Sequence, residues 1–213
     1  MEGNVFHILL SVQRGLLDHI APLLRAVTVD FDKKQSLMTL HFFYDGEVTD
    51  RLFDLASCTC VEIDPGVFPY MINDDFTTRL DYPAKIPIQG RLVYLRKEPT
   101  PTIYKQKSAV LFADSSNTLV AVLLLAMQDA LLGKVTPELR EVTVNTDEAT
   151  KQLDFYFFYD GAISKENFNL ANSSIQEASI WFPGYSVNKN ILRLDFPEKI
   201  SPLGGRVPYA RDE

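Results

Sequence analysis

An arginine and an aspartate stand two residues apart at two places in the chain, in Arg79-Leu80-Asp81 and in Arg193-Leu194-Asp195. A guanidinium beside a carboxylate could bind an anionic metabolite or take part in a protein interface. Side chains two residues apart on a strand point to the same face of a sheet. The two motifs therefore predict one Arg/Asp face in each half of the chain.

Two interpretations of this face remain open. The simpler one, which we favour, is a set of cross-strand ion pairs that fixes the sheet register. The other is a binding surface that also carries outward aromatic residues, because arginine and aromatic side chains are typical of interface hot spots. Unless the other half or a second chain covers the aromatics, the candidate binding residues are Phe43, Arg79, Asp81, Phe158, Arg193 and Asp195.

The sequence predicts no catalytic residue, no cofactor and no metal ion. The three histidines His7, His19 and His41 have no histidine at the corresponding positions of the second half, and none is spaced as a metal ligand. We find no nucleophile elbow and no glycine-rich phosphate loop. A carboxylate pair for acid/base chemistry, such as Asp45 with Asp81, would have to lie about 5–9 Å apart, and nothing in the sequence predicts that distance.

The elements that position these residues come from a tandem duplication. The segment Phe42-Phe43-Tyr44-Asp45-Gly46 returns as Phe157-Phe158-Tyr159-Asp160-Gly161, a shift of 115 positions from Asp45 to Asp160. The flanking segments repeat as well, so each copy spans about a hundred residues, the size of a small domain. We predict a first domain at 1–98, a stiff Pro-containing linker at 99–105 and a second domain at 106–213.

Each unit reads as helix, two strands, helix, two strands. In the first unit the sequence pattern predicts a helix over 6–20, strands over 27–31 and 37–44, an amphipathic helix, and strands over 78–82 and 92–97. The predicted fold class is α+β, with two tandem two-layer domains. Each is a four-stranded, mainly antiparallel sheet with both helices on one face, and its core-facing side carries Met38, Leu40, Phe42 and Tyr44 in the first unit.

The helices carry further local signals. Thr49 and Ser164 stand where a helix N-cap belongs. The spacing of apolar residues predicts that Phe53 and Phe168 face inward with the alanines three positions later. The helix expected at 119–132 is apolar almost all round, so we predict that the two opening helices pack on each other and form the domain interface. Pro208 predicts an edge position for the last strand.

Composition limits the classes of function. With 213 residues, 46% hydrophobic and 23% charged, the chain is typical of soluble globular proteins. The net charge of −7 is shared almost evenly between the halves and leaves no basic stripe, which argues against a nucleic-acid partner and fits a basic protein partner. The most apolar stretch is too short to cross a membrane, so we expect no membrane association.

Cys58 and Cys60 are the only cysteines, and they stand too close on one predicted helix to bond to each other. We expect them to be free thiols. No disulfide framework is predicted, and the N-terminus has no basic-then-apolar leader. These two features favour a cytoplasmic location.

The succession LL…VTPELREVTV, FYFFYDG, ILRLDFP and LGGRVPYARDE resembles small, mostly uncharacterised bacterial proteins made of one such unit. Some of these are similar to immunity proteins of polymorphic or contact-dependent toxin systems. The resemblance extends over nearly the whole chain in two copies. The first unit departs from it in having Gly15 and His19 in its helix and a longer segment around 64–68.

The resemblance implies a non-enzymatic protein that blocks a basic toxin domain with an acidic and aromatic surface. One alternative is an enzyme or a binder of small anionic ligands that uses the outward Arg/Asp face. Another is a structural or regulatory scaffold in which one copy stabilises the other. In each case we expect the two domains to pair within the chain, and a homodimer would add a second copy.

Overall fold

The computed structural model of the chain describes residues 3–32, 34–63, 71–99, 106, 108, 118–200 and 205–213. Within these residues the order helix, two strands, helix, two strands occurs twice, which confirms the predicted α+β class. The first unit contains α1 (Gly3–Leu16), β1 (Leu24–Asp32), β2 (Leu37–Tyr44), α2 (Asp50–Glu62), β3 (Met71–Arg79) and β4 (Arg91–Leu95). The second contains α3 (Leu119–Leu131), β5 (Leu139–Asp147), β6 (Gln152–Tyr159), α4 (Lys165–Ser179), β7 (Ser186–Arg193) and β8 (Arg206–Ala210).

Each unit builds one mixed four-stranded sheet, in the order β3-β2-β1-β4 and β7-β6-β5-β8. The central hairpin and the β1/β4 and β5/β8 pairs are antiparallel, whereas β2/β3 and β6/β7 are parallel. Parallel neighbours need a crossover, and α2 and α4 supply it. The sheets are therefore mainly antiparallel, and β8 lies at an edge as Pro208 predicts.

Strand alternation sets the core in both units. Met38, Leu40, Phe42 and Tyr44 on β2 are at most 1% exposed and pack under the helices, which confirms the predicted inward face. The corresponding residues of β6 do the same. Both helices of a unit therefore cover one face of its sheet.

The two opening helices meet, as the apolar surface of α3 predicts. Gln13 of α1 donates from Nε2 to the carbonyl of Leu124 in α3 at 3.0 Å and to the carbonyl of Pro208 in β8 at 3.2 Å. One cluster of buried side chains runs without a break from the first unit into the second. The α1/α3 contact is thus the centre of an interface that joins two sheets into one core.

Several predicted boundaries are wrong. Helix α1 ends at Leu16, four residues early, and Asp18 follows in the left-handed region with φ of 63°. Strand β3 covers Met71–Arg79 and ends before Asp81, so the Arg79/Asp81 motif straddles a strand end. The longer segment around 64–68 and linker residues 100–105 lie outside the described residues.

The second helix of each unit is correctly capped, but one predicted face is wrong. The hydroxyls of Thr49 and Ser164 accept from the amides of Leu52 and Asn167. Phe53 and Phe168 are 46% and 51% exposed, because the buried face begins one residue earlier, at Leu52 and Asn167. Among the described helices, none combines the length and the apolar character needed to cross a bilayer.

Candidate functional site

Arg25 occupies a β-bulge in the first strand. The pairing of β1 with β2 goes from Leu24 opposite Tyr44 directly to Ala26 opposite Phe43, which leaves Arg25 as the extra residue. A bulge redirects a side chain away from the regular alternation. In β5 the register shifts in the same way around Arg140. The sequence thus places one re-aimed arginine at the start of each central hairpin.

The buried guanidinium of Arg25 binds a carboxylate and a loop at once. Its Nε and Nη2 donate to Oε1 and Oε2 of Glu98 at 2.6 and 3.0 Å. Its Nη1 and Nη2 also donate to the carbonyls of Leu80 and Ala84, and the ring of Tyr82 lies 5.8 Å from the guanidinium carbon. Arg25 is 1% exposed, so this planar, multiply bonded pair fixes the loop that follows β3.

Arg140 repeats this arrangement in the second unit. It pairs with Glu213 through Nε and Nη2, and donates to the carbonyls of Leu194 and Glu198 at 2.7 and 3.0 Å. Phe196 takes the place of the tyrosine, with its ring 5.9 Å from the guanidinium carbon. Hydrogen bonds from Arg140 hold the pKa of Glu213 below its ordinary value. Each arginine therefore has a structural role, because it binds the terminal glutamate of its unit and the loop after the third strand.

The predicted Arg/Asp motifs form exposed ion pairs that brace a turn. Arg79 binds Asp81 through Nε and Nη2 at 2.8–3.1 Å, and Arg193 binds Asp195 in the same bidentate way. Each aspartate also accepts from the amide of the turn glycine, Gly46 or Gly161. The pair within each motif therefore ties the loop after β3 or β7 to the turn after β2 or β6.

Electrostatics reinforce this bracing. The guanidinium of Arg193, helped by the amide of Gly161, lowers the pKa of Asp195 to about 2. Arg79 likewise holds the pKa of Asp81 below its ordinary value. With their side chains 60% and 46% exposed and bonded to each other, Arg79 and Asp81 form a surface ion pair and not a pocket for an anionic metabolite.

The aspartates of the two turns complete the same junction. Asp45 accepts from the amide of Tyr82 at 3.1 Å and from Nη2 of Arg96 at 2.9 Å, and the bond from Arg96 is the main cause of its lowered pKa. Asp160 accepts from the amide of Phe196 at 3.2 Å. The shared polar residues thus hold turn and loop together, which agrees with the structural interpretation. The bonds, however, run between loops and not across strands.

Phe43 and Phe158 are each only 5% exposed, which corrects their prediction as outward binding residues. They do lie on the sheet face opposite the helices. Ile86, from the segment between β3 and β4, packs with Phe43, Ala26 and Leu92 in a second small apolar cluster. The loop therefore covers the sheet face that strand alternation alone leaves open.

The described residues present a different acidic and aromatic surface on α2. Glu47, Asp50, Phe53 and Asp54 are exposed at the start of the helix, and Val61 is 81% exposed at its end. Positions 50, 53, 54 and 61 recur on one side of an α-helix. Glu47 also adds to the field that raises the pKa of Arg79, after the larger effect of Asp81. We call Glu47, Asp50, Phe53, Asp54 and Val61 the acidic α2 face.

The same surface of the second unit is not acidic. Lys165, Phe168 and Asn169 on α4 stand at the positions of Asp50, Phe53 and Asp54, and all three are exposed. The aromatic residue is therefore common to both units, whereas the negative charge belongs to the first. This difference provides a matched comparison inside one chain.

Two clefts lie between the units, beside the segment from Arg96 to Pro99. The larger one, of about 560 Å³, is bordered by Asp45, Glu138 and the start of α4, and the other has about 460 Å³. Arg96 and Lys97 in these clefts pair with Asp45 and Glu166. Within the described residues, no group of three His, Cys, Asp or Glu side chains could hold a metal ion.

Glu98 and Glu213 are missing from the predicted site residues, although each is the carboxylate partner of a buried arginine. The shift of 115 positions that relates Arg25 to Arg140 also relates Glu98 to Glu213. This correspondence could have identified the two Arg/Glu pairs from the sequence. It is easily missed when Glu98 is treated only as the boundary of a linker.

Comparison with known families gives a match in both units. The family model described as MafI2 immunity protein matches residues 6–98 and, separately, residues 121–213. Each matched segment extends from the opening helix to the glutamate that binds the buried arginine. No curated protein matches the chain.

Proposed function

The chain belongs to the MafI2 immunity protein family, and from this we infer that it binds a protein toxin and neutralises it without catalysing a reaction. The observation that carries this proposal is the family match in both units. The word immunity in the family description implies a toxin as the partner. The partner we propose is a basic toxin domain, and the complex blocks its active site.

The acidic α2 face is the surface that we propose for this contact. Phe53 supplies an exposed aromatic anchor, and Asp50 and Asp54 flank it on the same side of the helix. Aromatic side chains dominate the energetics of many interfaces, and complementary charge speeds association and selects the partner. A basic surface around an apolar pocket on the toxin would fit this face.

Arg79 and Asp81 lie at the margin of the proposed contact. Glu47 is close enough to Arg79 to raise the pKa of its guanidinium, after the larger effect of Asp81. We propose that the ion pair holds the turn, and with it the start of α2, in the binding orientation. Arg193 and Asp195 hold the corresponding turn of the second unit. Phe43 and Phe158, being buried, act only through packing.

The difference in charge between the units supports our proposal that the first unit makes the contact. At the positions of Asp50 and Asp54 the second unit has Lys165 and Asn169. A basic toxin surface is attracted to α2 and gains little from α4. We propose that the second unit supports the first by completing its core.

We also propose that the protein acts in the cytoplasm, where it meets the toxin that would harm its own cell. Cys58 is exposed and Cys60 is buried, and both are free thiols. Free thiols persist in a reducing compartment. A protein toxin acting inside the cell would meet the immunity protein there.

The test is co-expression of the chain with the toxin encoded beside its gene. We expect cell growth to be restored, and a complex of the two proteins to survive affinity capture and gel filtration. An unrelated toxin serves as the control and should remain harmful. Continued toxicity together with the absence of any complex contradicts the proposal.

A further inference from the structure

In each unit, the segment that follows the last strand contacts the other unit. After β4, Arg96 bridges to Val135 of the second unit, and the amide of Lys97 donates to the Val135 carbonyl at 2.8 Å. After β8, Arg211 bridges to Ile20 of the first unit, and the amide of Asp212 donates to the Ile20 carbonyl at 3.2 Å. The shift of 115 positions relates these two contacts, so the interface has an approximate twofold symmetry.

Two ion pairs follow these contacts, and their signs are reversed. Lys97 Nζ lies 2.6 Å from Oε1 of Glu166, in the first turn of α4. At the related position, Asp212 Oδ2 lies 2.6 Å from Nη2 of Arg51, in the first turn of α2. The cation therefore comes from the end of β4 in one pair and from α2 in the other.

This reversal decides which pairs of units fit. If the first unit met a second copy of itself in the same way, Arg51 would face Lys97 at both ends of the twofold axis. If the second unit met its own copy, Glu166 would face Asp212 twice. Only a first unit against a second unit gives attraction at both ends.

We propose that these four charges form a recognition code by which each unit accepts the opposite unit and rejects a second copy of its own kind. Exposed ion pairs add little to stability, and the side chains of Arg51 and Glu166 are 70% and 63% exposed. Repulsion between like charges nevertheless discriminates between partners of the same shape. The code selects the pairing, and the shared apolar core supplies the stability.

A further ion pair acts in the same direction for the first unit. Arg91 of β4 pairs with Asp129 of α3 at 3.1 Å, across the unit boundary. The related positions, Arg206 and Arg14, are both basic. Self-pairing of the first unit would place Arg91 against Arg14 twice. Self-pairing of the second unit would instead place Arg206 against Asp129 twice, which is attractive, so its rejection depends on the repulsion between Glu166 and Asp212.

The test exchanges charges in the full chain while keeping the net charge constant. The first variant combines Arg51→Glu with Glu166→Arg, which makes the native pairing repulsive and self-pairing attractive. The second adds Lys97→Asp and Asp212→Lys, which restores attraction in the native pairing. The matched control exchanges the preceding residues, Asp50→Lys with Lys165→Asp.

We expect the first variant to lose roughly 2–8 °C in Tm at low salt, since two attractive contacts become repulsive. The fourfold variant should regain the wild-type Tm, and the control should keep it. Near 1 M salt the loss should shrink, because exposed charges are screened. By light scattering, the first variant should form a concentration-dependent dimer, whereas wild type and the fourfold variant keep the mass of one chain.

Three results would each overturn the proposal. One is a first variant as stable as wild type at low salt. Another is a fourfold variant that recovers no stability. The third is a first variant that is less stable but has the mass of one chain at every concentration, because that result reduces the pairs to ordinary stabilising contacts. None of these measurements involves the toxin, so they are independent of the test of the proposed function.

Discussion

The Nε atom of Arg25 lies 2.6 Å from Oε1 of Glu98, 73 positions further along the chain, and both side chains are almost fully buried. The last residue of the first unit thus closes on its first strand. Arg140 and Glu213 make the same closure in the second unit. In each unit, one ion pair therefore connects the first strand to the last residue of the unit.

Removing the carboxylate of this closure should be costly. We expect Glu98→Ala to lower the free energy of unfolding by about 3–5 kcal/mol, because it leaves the buried guanidinium of Arg25 without its counterion. Chemical denaturation monitored by circular dichroism measures the change. Glu138→Ala, at an exposed position, is the control and should change stability by less than about 0.5 kcal/mol. Equal effects of the two substitutions would contradict the role of the pair.

Stability should fall in acid through the exposed Arg/Asp pairs. The ordinary pKa of Asp195 is 3.8, and Arg193 lowers it to about 2 in the folded chain. The stabilisation is therefore complete above about pH 4 and is lost as the pH falls towards 2. We expect Asp195→Asn to make the decline of Tm between these values less steep. An unchanged slope in this variant would contradict the stabilising role of the Arg193/Asp195 pair.

Two turn glycines should differ in their tolerance of a side chain. Gly46 and Gly90 both have positive φ, of 89° and 72°. A Cβ at Gly46 meets nothing within 4 Å, whereas one at Gly90 would lie 2.2 Å from the Val29 carbonyl oxygen. We expect about 1–2 kcal/mol of destabilisation for Gly46→Ala, from backbone strain alone. Gly90→Ala should add about 1–3 kcal/mol for the clash, measured by denaturation. Equal losses would show that the contact relaxes.

The acidic α2 face should matter for toxin binding and not for folding. We expect Phe53→Ala to weaken the complex about 30-fold, as loss of an interface anchor worth about 2 kcal/mol does. Its Tm should stay near the wild-type value, because Phe53 is 46% exposed. Calorimetric titration measures the affinity. Phe168→Ala is the matched control in the second unit, and equal losses for the two variants would contradict the assignment to the first unit.

Charge on the same face should control the rate of association. We expect Asp54→Lys to slow association with a basic toxin by at least about tenfold at low salt, and by less at high salt. Asn169→Lys places the same charge at the related position of α4 and should have a smaller effect. Stopped-flow mixing measures both rates. A salt-independent rate would show that charge does not steer the encounter.

Two kinds of local pattern made parts of the fold predictable from the sequence. One is the alternation of apolar residues along a strand, and the other is a capping residue at the start of a helix. Met38, Leu40, Phe42 and Tyr44 alternate, and the second copy preserves the pattern, so the inward face of β2 was correct. Thr49 is recognised as an N-cap from its position alone. Such features depend on neighbours along the chain.

The errors depend on distant neighbours. Phe43 is hidden because Ile86 packs on a sheet face that alternation leaves open. Phe53 has the apolar character of a core residue, yet α2 is rotated so that Leu52 is buried instead. The aim of Arg25 follows from a bulge that exists only when β1 pairs with β2. Long-range packing of this kind leaves no local sequence pattern.

The hydrogen bonds of Gln13 to Leu124 and Pro208 constrain the order in which the chain can fold during synthesis. During synthesis the first unit emerges before the second, and domains normally begin to fold in that order. Helix α1 cannot complete its contacts before α3 is made, and the Gln13 amide cannot complete its bonds before β8 is made. Until then its apolar side is open to solvent and to other nascent chains. The shared apolar core therefore stays open until the segments that form α3 and β8 have both been synthesised.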